Sequence, residues 1–504
     1  MAIKVGSDGS TISDAEKQAL KAALRGDVHF RAGVSTEDYD QLLRRWNEAF
    51  TEQANIVALV ESEQDVSECI KFAKEHDIDI AVAGGRHSYH GSSSTTGMVI
   101  GEIKQPQNST RCADDCQDLR KLNKVTIDKA SKTVTGGGGC VAGDLEKPAE
   151  AEGLSVVFGA INETGIGGLT TGGGAGWLTG RHGLTIDNLL AARVVLANGE
   201  LVIASEQENE DLFWGIRGGG SNFGICTEFT FRAHDQGLCF FQMLTFAPDK
   251  LKDCISLIDK IHTNMTEPAN GRFQPMFVMM APPGKPHCPG FMVFYDGPEE
   301  EARKIAEPMY SLGPVNTMGG VWPYTQVTGI YGMMKMQGFD RWGSSSVHLD
   351  YPVNQAIVLG CVARFQEAVQ RQGADFAHST FILDLRDYRK VASVSSSATA
   401  YAGRYTAAIL IADFRWDKPE LDKTAREEAK SITNYAKEQV KEQRIFAKTQ
   451  EDGQRDLSSF YPNVSAGTEK IESVFGSNLP RLKELKQKYD RDFLFNKWYP
   501  IDPN

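Results

Sequence analysis

Between Gly165 and Gly183 the chain places nine glycines. A packed helix or strand does not tolerate that density, because each glycine adds backbone freedom and removes a packing surface. The same stretch carries Leu169, Trp177 and Leu178, which a flexible linker lacks. An ordered backbone lying against a flat ligand accounts for both facts. A second glycine break lies earlier. The apolar run Ile80–Ala83 reads as a buried strand, gives way to Gly84-Gly85-Arg86-His87, continues through a hydroxyl-rich loop and regains apolar character at Met98–Ile100. Glycines let the backbone approach a ligand and present its N–H groups. Arg86 adds a fixed charge and Ser88 a donor. On this stretch alone two readings stand, a pyrophosphate cradle with His87 at its tip and a glycine turn with a surface histidine.

Charge narrows the partners. With 54 Lys and Arg against 66 Asp and Glu the net charge is −12, which argues against nucleic acid and favours solubility. No apolar run approaches the ~20 residues that span a bilayer. The opening Met-Ala-Ile-Lys-Val-Gly-Ser-Asp has no apolar signal-peptide core. The expectation is an intracellular, cytoplasmic protein with no membrane partner, monomeric or homodimeric. The nine cysteines are scattered; Cys112 and Cys116 form the one close pair and read as free thiols on a loop.

At 504 residues the chain has room for two or three domains. Residues 56–60, 63–75 and 78–82 read as strand, helix, strand. A helix at 14–24 and another over 38–49 precede them. A hairpin spans 125–135, a helix 142–152, and strands 192–197, 201–203 and 227–231. Near 237 glycine density falls. Strands are expected at 240–246, 272–280, 290–295, 379–383 and 405–414, with helices at 248–263, 298–312, 352–372 and 421–442. That pattern predicts an α+β chain whose second domain is an antiparallel sheet with helices on one face. Short apolar pieces return after 455, around a helix at 479–488.

Several ordered motifs now carry a resemblance. They are Ala83-Gly-Gly-Arg-His-Ser88, Gly165-Ile-Gly-Gly-Leu169, Gly172-Gly-Gly174, Arg181-His-Gly-Leu-Thr-Ile-Asp-Asn188, Asp211–Gly224, Tyr461-Pro-Asn463 and the region of Asn496. From about residue 40 to the C-terminus the chain resembles the flavin-linked oxidases of the vanillyl-alcohol-oxidase superfamily. More narrowly, it is similar to the fungal berberine-bridge-enzyme-like oxidases. The resemblance implies a two-part FAD-binding domain, residues 1–236 and 451–504, with a substrate domain, 237–450, inserted between them. It implies FAD bound covalently through His87, with Gly84, Gly85, Arg86 and Ser88 approaching the pyrophosphate. Thr164, Gly165, Gly168, Gly172, Gly174, His182, Gly183, Asp187 and Asn188 would line the other side, and Ile225 the adenine end. Tyr461, Asn463 and Asn496 would close over the ring. Relatives with a second, cysteinyl link carry it in a segment matching Ile161-Asn-Glu-Thr-Gly165; with isoleucine at 161 one link is expected, and Cys140 reads as structural. Thr164 matches a position near the flavin's oxygen-reacting carbon and is small enough to leave room for O2.

For catalysis the resemblance puts Tyr461 forward as the base, against a packing role. Some relatives use a glutamate on a strand matching 405–416, where this chain has Ala407, Ile409 and Ile411. The carboxylates on candidate sheet strands are Asp384, kept as a second catalytic candidate, and Asp413; solvated or capping roles compete for both. Tyr295 and Gln274 are further residues that could face the substrate. His348 and His378 lack spaced partner ligands, so no metal is expected. The implied activity is an FAD-dependent oxidase passing a hydride from an alcohol, amine or benzylic carbon of a small molecule to flavin and then to O2. Alternatives are a dehydrogenase or oxidative cyclase with another acceptor, and a non-redox cyclase with structural flavin.

Overall fold

The computed structural model describes residues 7–101, 121–281, 286–330, 341–447, 461–465 and 467–504. Cys112 and Cys116 lie outside the described residues. Three sheets organise the described residues.

The first holds β1 (Asp27–Phe30), β2 (Ile56–Leu59), β3 (Ile80–Ala83) and β4 (Met98–Gly101) in the order β1-β2-β4-β3. Strands β2 and β3 both run parallel to β4 because the helix Glu63–Glu75 makes the crossover between them. Ser62 caps that helix by accepting from the Asp65 N–H. Strand β1 was not expected; with four residues and one buried side chain it carries little pattern.

The second sheet holds β5 (Val125–Asp128), β6 (Thr133–Gly137), β7 (Leu154–Val156), β8 (Leu189–Val195), β9 (Leu201–Ser205) and β10 (Ile225–Asp235). Its order is β5-β6-β10-β8-β9, with β7 also on β10. The expected hairpins β5–β6 and β8–β9 are both present. The tail packs here: Phe475, Leu482, Leu485, Trp498 and Ile501 are buried in the same core as Phe213, Phe229 and Phe231.

The third sheet, β11 (Cys239–Thr245), β12 (Phe273–Met280), β13 (Cys288–Tyr295), β14 (Asn316–Trp322), β15 (Arg341–Leu349), β16 (Thr380–Asp384) and β17 (Ala408–Trp416), is antiparallel throughout. Its order is β14-β11-β13-β12-β16-β17-β15. Alternation splits its side chains between faces. Phe277, Phe291, Leu383, Leu410 and Phe414 pack under the helices Gln355–Gln372 and Asp422–Ala447. Met276, Val278, Met292 and Ile382 face the other way.

Several sequence expectations change. The helix expected over 38–49 is Thr36–Leu43; beyond it Arg44 is extended and the Trp46 N–H donates to the Arg86 carbonyl instead of continuing the helix. The segment 248–263 breaks into short helical pieces ending in a π turn at Ile261–Thr266. Strands β14 and β15 were missed: β14 is an exposed edge with two glycines, and β15 has a serine triplet in place of alternation. The strand expected at 405–414 begins three residues later. Asp384 and Asp413 are 2 % and 5 % exposed, so neither is solvated.

Glu146, on the helix Ala142–Ala151, is buried against the helix Tyr324–Thr328. The Thr328 hydroxyl donates to it at 2.7 Å, and Thr325 N–H and hydroxyl donate to Glu150 one turn on. Burial pushes the Glu146 carboxyl up to about 8. Between the ordinary glutamate value and 8 the folded chain holds a proton that the unfolded chain has released. Stability therefore falls as pH rises through that window. Glu146→Gln is expected to remove this decline, read as a smaller difference in unfolding midpoint between pH 5 and pH 9 than in the parent protein.

Candidate active site

The glycine-rich stretches meet. A methyl group on Gly85 would collide with the backbone of Gly165, and one on Gly165 with that of Gly85. The loop after β3 and the loop before the helix Ile166–Thr171 thus lie backbone to backbone. Together they form one wall of a cavity of about 750 Å³, at the large end of small-molecule sites. The cavity-facing side of the third sheet forms the opposite wall.

Two arginines staple the first loop. Arg45 donates to the carbonyls of Leu43 at 2.7 Å and Ser93 at 2.8 Å. Arg86, at φ 60°, donates to those of Leu42 at 3.1 Å and Arg44 at 3.0 Å. The Leu42, Leu43 and Arg44 carbonyls stand at the C-terminal end of the helix Thr36–Leu43, where cations are favoured. Arg86 Nη1 is thus held by protein carbonyls, while Arg86 also lines the cavity. Ser88 Oγ accepts from the N–H groups of His90 and Ser92 and from the Ser92 hydroxyl, so it too shapes the loop. His87 lines the cavity, and its ring stacks on Trp46 at 4.3 Å.

Of the sequence-derived residues, Gly84, Gly85, Arg86, His87, Ser88, Thr164, Gly165, Gly168, Ile225, Asp384, Tyr461 and Asn463 all line this cavity. Ile161 lines it as well, while Cys140 is fully buried. Gly172, Gly174, His182, Gly183, Asp187, Asn188 and Asn496 do not line it. Their neighbourhood is filled by protein: a methyl on Gly172 would strike the Asn463 side chain, and one on Gly174 that of Thr185. Asp187 accepts from the buried Arg404 at 2.7 Å and from the Leu184 N–H. Asn188 donates to the His182 and Leu184 carbonyls and pairs with His234, whose ring stacks on His182. The Asn496 amide donates to the Phe493 carbonyl. Much of the glycine run therefore serves close packing of protein on protein. Gly168 is different: it has nothing within 4 Å and opens onto the cavity.

On the sheet side Asp384, Arg386 and Tyr388 form a buried cluster. Arg386 Nη2 donates to Asp384 Oδ2 at 2.6 Å and to the Tyr388 oxygen at 3.0 Å, and the Tyr388 hydroxyl donates to Asp384 at 2.8 Å. Burial works against the Arg386 charge, and Asp384 more than restores it. Arg386 Nη1 is buried with no hydrogen-bond partner among the described residues. Tyr461 reaches the same region from the tail. Its N–H donates to Ser346 Oγ at 3.3 Å, and Ser465 pairs with that hydroxyl at 2.9 Å, docking the tail on β15. The Tyr461 oxygen accepts from the Ala175 N–H at 2.9 Å and the Asn463 amide at 3.3 Å. Burial raises its pKa, against those donors and Arg386. Gln274 is spent inside the protein, between the Gly271 carbonyl and the Asp387 N–H. Tyr295 donates to Glu301. No group of three or more His, Cys, Asp or Glu that could hold a metal exists among the described residues.

Sequence reasoning missed Trp46, Trp342, Arg386, Arg415 and Trp498, all close to or lining the cavity. The signal for part of this was present: Ile409, Ile411, Asp413 and Arg415 alternate along one strand and share its cavity face.

The residues fit a dinucleotide flavin. The glycine wall at Gly84, Gly165, Gly167 and Gly168 leaves room for close approach, and Gly168 is a cradle that a Cβ would fill. The helix Ile166–Thr171 begins in that wall, so its first-turn amides lack intrahelical acceptors. Glycine wall, cavity and sheet together describe a flavin-dependent oxidoreductase. Comparison with known proteins agrees. Residues 54–102 and 117–205 match the FAD binding domain family, and 460–501 the berberine and berberine-like family. The chain is 48% identical over 500 residues to the FAD-linked oxidoreductase pgmH of Aspergillus terreus, covering 98% of each chain. It is 29% identical to the FAD-linked oxidoreductase srdI of Neurospora crassa, over 94% of this chain and 89% of that one. Among solved structures, 6-hydroxy-D-nicotine oxidase from Arthrobacter nicotinovorans superposes with a TM-score of 0.77 at 22% identity, covering 95% of this chain and 98% of that one. Berberine bridge enzyme from Eschscholzia californica gives 0.77 at 18%, covering 97% and 99%. The chain belongs to the FAD-linked, berberine-bridge-enzyme-like oxidoreductases, and it is an FAD-dependent oxidoreductase.

The Gly85–Gly165 contact is directly testable. Gly165→Ala is expected to cost about 1–3 kcal/mol of stability through overpacking. Gly168→Ala, with open space around it, is expected to leave the unfolding midpoint near that of the parent. Thermal unfolding of both proteins checks the difference.

Proposed function

We propose that this oxidoreductase is an oxidase, taking a hydride from an alcohol, amine or benzylic carbon of a small organic substrate, with dioxygen as the final acceptor. Residues 1–236 and 451–504 would hold the cofactor and 237–450 the substrate. The observation that carries this reading is a single cavity whose two walls differ in chemistry. One is glycine backbone with an imidazole, the other a sheet face with the Asp384–Arg386 pair, joined by Tyr461 from the tail. Flavin, when bound, supplies the hydride acceptor and the route to dioxygen. The name of one structural neighbour, 6-hydroxy-D-nicotine oxidase, favours dioxygen over other acceptors.

In this reading His87 holds the flavin covalently. It lines the cavity, and its ring plane is set by the Trp46 stack. Ile161 offers no nucleophile for a second link. The glycine wall receives the pyrophosphate through backbone groups, with Arg86 beside it, its Nη1 tied to the carbonyls of Leu42 and Arg44. Thr164 borders the space left for dioxygen.

Tyr461 removes the substrate proton. Two donors already hold its oxygen, and both stabilise a phenolate. Arg386 favours the same charge, while burial opposes it. A free phenol ionises near pH 10, so these influences decide whether the group works as a base. Asp384 acts through Arg386: with its oxygens engaged by Arg386 and Tyr388, it fixes the guanidinium beside Tyr461.

Two experiments test this. Protein precipitated in acid is expected to carry flavin in the pellet, and His87→Ala to release it to the supernatant; flavin that stays in the variant's pellet would overturn the single link. Tyr461→Phe is expected to slow anaerobic flavin bleaching about 100-fold or more, with a substrate found by peroxide release from a panel of alcohols, amines and benzylic compounds. Unchanged bleaching would remove Tyr461 from the chemistry.

A further inference from the structure

Arg415 is a weakly compensated cation in the cavity wall. It stands on β17 in the alternating row with Ile409, Ile411 and Asp413, and it lines the cavity. Its guanidinium lies over the Trp342 ring, 3.3 Å from the centroid, which holds the planar group in one orientation. Its Nε is buried with no hydrogen-bond partner among the described residues. The neighbouring carboxylate, Asp413, comes no closer than 3.8 Å to that nitrogen. Asp413 instead accepts from the Ser344 hydroxyl on the adjacent strand. Burial raises the Asp413 pKa, while Arg415 and the Ser344 and Thr380 hydroxyls pull the other way. His378, also in the wall, adds no negative charge; burial and then Arg415 lower its pKa. The contrast with Arg386 is plain, since that guanidinium is matched by a bidentate aspartate.

The rest of the wall is apolar and soft. Met243, Met276, Met280, Met292 and Met318 come from four adjacent strands and face the cavity together. Thioethers adapt to irregular shapes and pack well against aromatic rings. A cavity with a methionine floor and one stacked cation selects a ligand that is mostly apolar and flat and carries a negative oxygen at one end.

We propose that Arg415 is the substrate's anchor, and that the substrate is a flat, largely apolar molecule bearing an acidic oxygen group, a carboxylate or a phenol. The proposal rests on reading this cavity as the substrate site. The Arg415 N–H fork receives the acidic group while the ring system lies on the methionines. Aromatic contacts also tie this anchor to the cofactor wall: the Trp342 ring lies tilted against Trp46 at 4.2 Å, and Trp46 stacks on His87. Arg415 touches no reacting atom in this account; it determines which molecules bind and how they lie.

The test is calorimetric titration of the flavin-loaded protein with biphenyl-4-carboxylate, 4-phenylphenol and the neutral 4-phenylbenzyl alcohol. At least one acid is expected to bind about tenfold or more tightly than the alcohol, the scale of a charge-assisted hydrogen bond. The stronger of the two acids tells carboxylate from phenol recognition. Arg415→Gln is expected to erase the preference while changing alcohol binding less than about threefold, within the tenfold scale of the effect. Arg415→Lys, which keeps the charge, is expected to retain part of it, and serves as the second variant should glutamine unfold the strand. Equal affinities in the parent, or a preference that survives in Arg415→Gln, would overturn the proposal. Because binding is read rather than turnover, Tyr461→Phe should keep the full preference. A failed base assignment therefore leaves this result intact, and a failed anchor leaves the base assignment intact.

Discussion

The contact between Gly85 and Gly165 is the constraint on which the rest depends. Neither position has room for a methyl group, because the space is filled by the other's backbone. That contact joins the loop leaving β3 to the loop entering the helix Ile166–Thr171, and so joins the first sheet to the second. It also aims both loops at one cavity. Arg45 and Arg86 then hold the first loop from behind, by donating to carbonyls at a helix end. The two arginines thereby tie this loop to the chain that follows the helix Thr36–Leu43.

The opposite wall solves a different problem. Asp384, Arg386, Asp413 and Arg415 all sit on a sheet face that is covered by the rest of the protein. Burying charge is costly unless each group is paired or hydrogen-bonded. Asp384 and Arg386 pair closely and Tyr388 completes the cluster, with Arg386 Nη1 left without a hydrogen-bond partner among the described residues. Asp413 and Arg415 are only loosely paired, which leaves that guanidinium capacity for a ligand. Tyr461 belongs to neither strand. It arrives on the tail, held by Ser346 on β15 and by Ala175 from the glycine run, so its placement depends on three separated parts of the chain.

Several features were legible in the residues. The β2–helix–β3 unit showed its apolar periodicity, the hairpins showed their turns, and the antiparallel sheet with helices on one face followed from the alternation of strands and helices after 237. The break at Gly84–His87 and the Thr164–Gly168 segment did indicate the cavity wall. Other features were not legible. Strand β15 has Ser344, Ser345 and Ser346 where alternation would be sought, and their hydroxyls are used up by Asp413, Thr433 and Ser465, partners distant in sequence. Arg86 stood out among its glycine neighbours; that its Nη1 reaches the carbonyls of Leu42 and Arg44 depends on where the helix Thr36–Leu43 ends. Asp384 and Asp413 looked like surface carboxylates because no nearby residue in sequence hinted at the burial of that face.

By itself the sequence determined local propensities and the family. Glycine spacing, the Arg-His-Ser break and the tail motifs identify a flavin-binding chain, because those residues answer to backbone geometry and to close approach, which are local properties. Only the tertiary structure decided which glycines face a ligand and which face protein. Gly168 opens onto the cavity while Gly172 and Gly174 are blocked by Asn463 and Thr185. It also decided that Arg415 would be left with a loose partner and Arg386 with a tight one. The reason is physical. Charge compensation and free volume belong to the space between elements, and that space is set by the packing of strands and loops far apart in the chain.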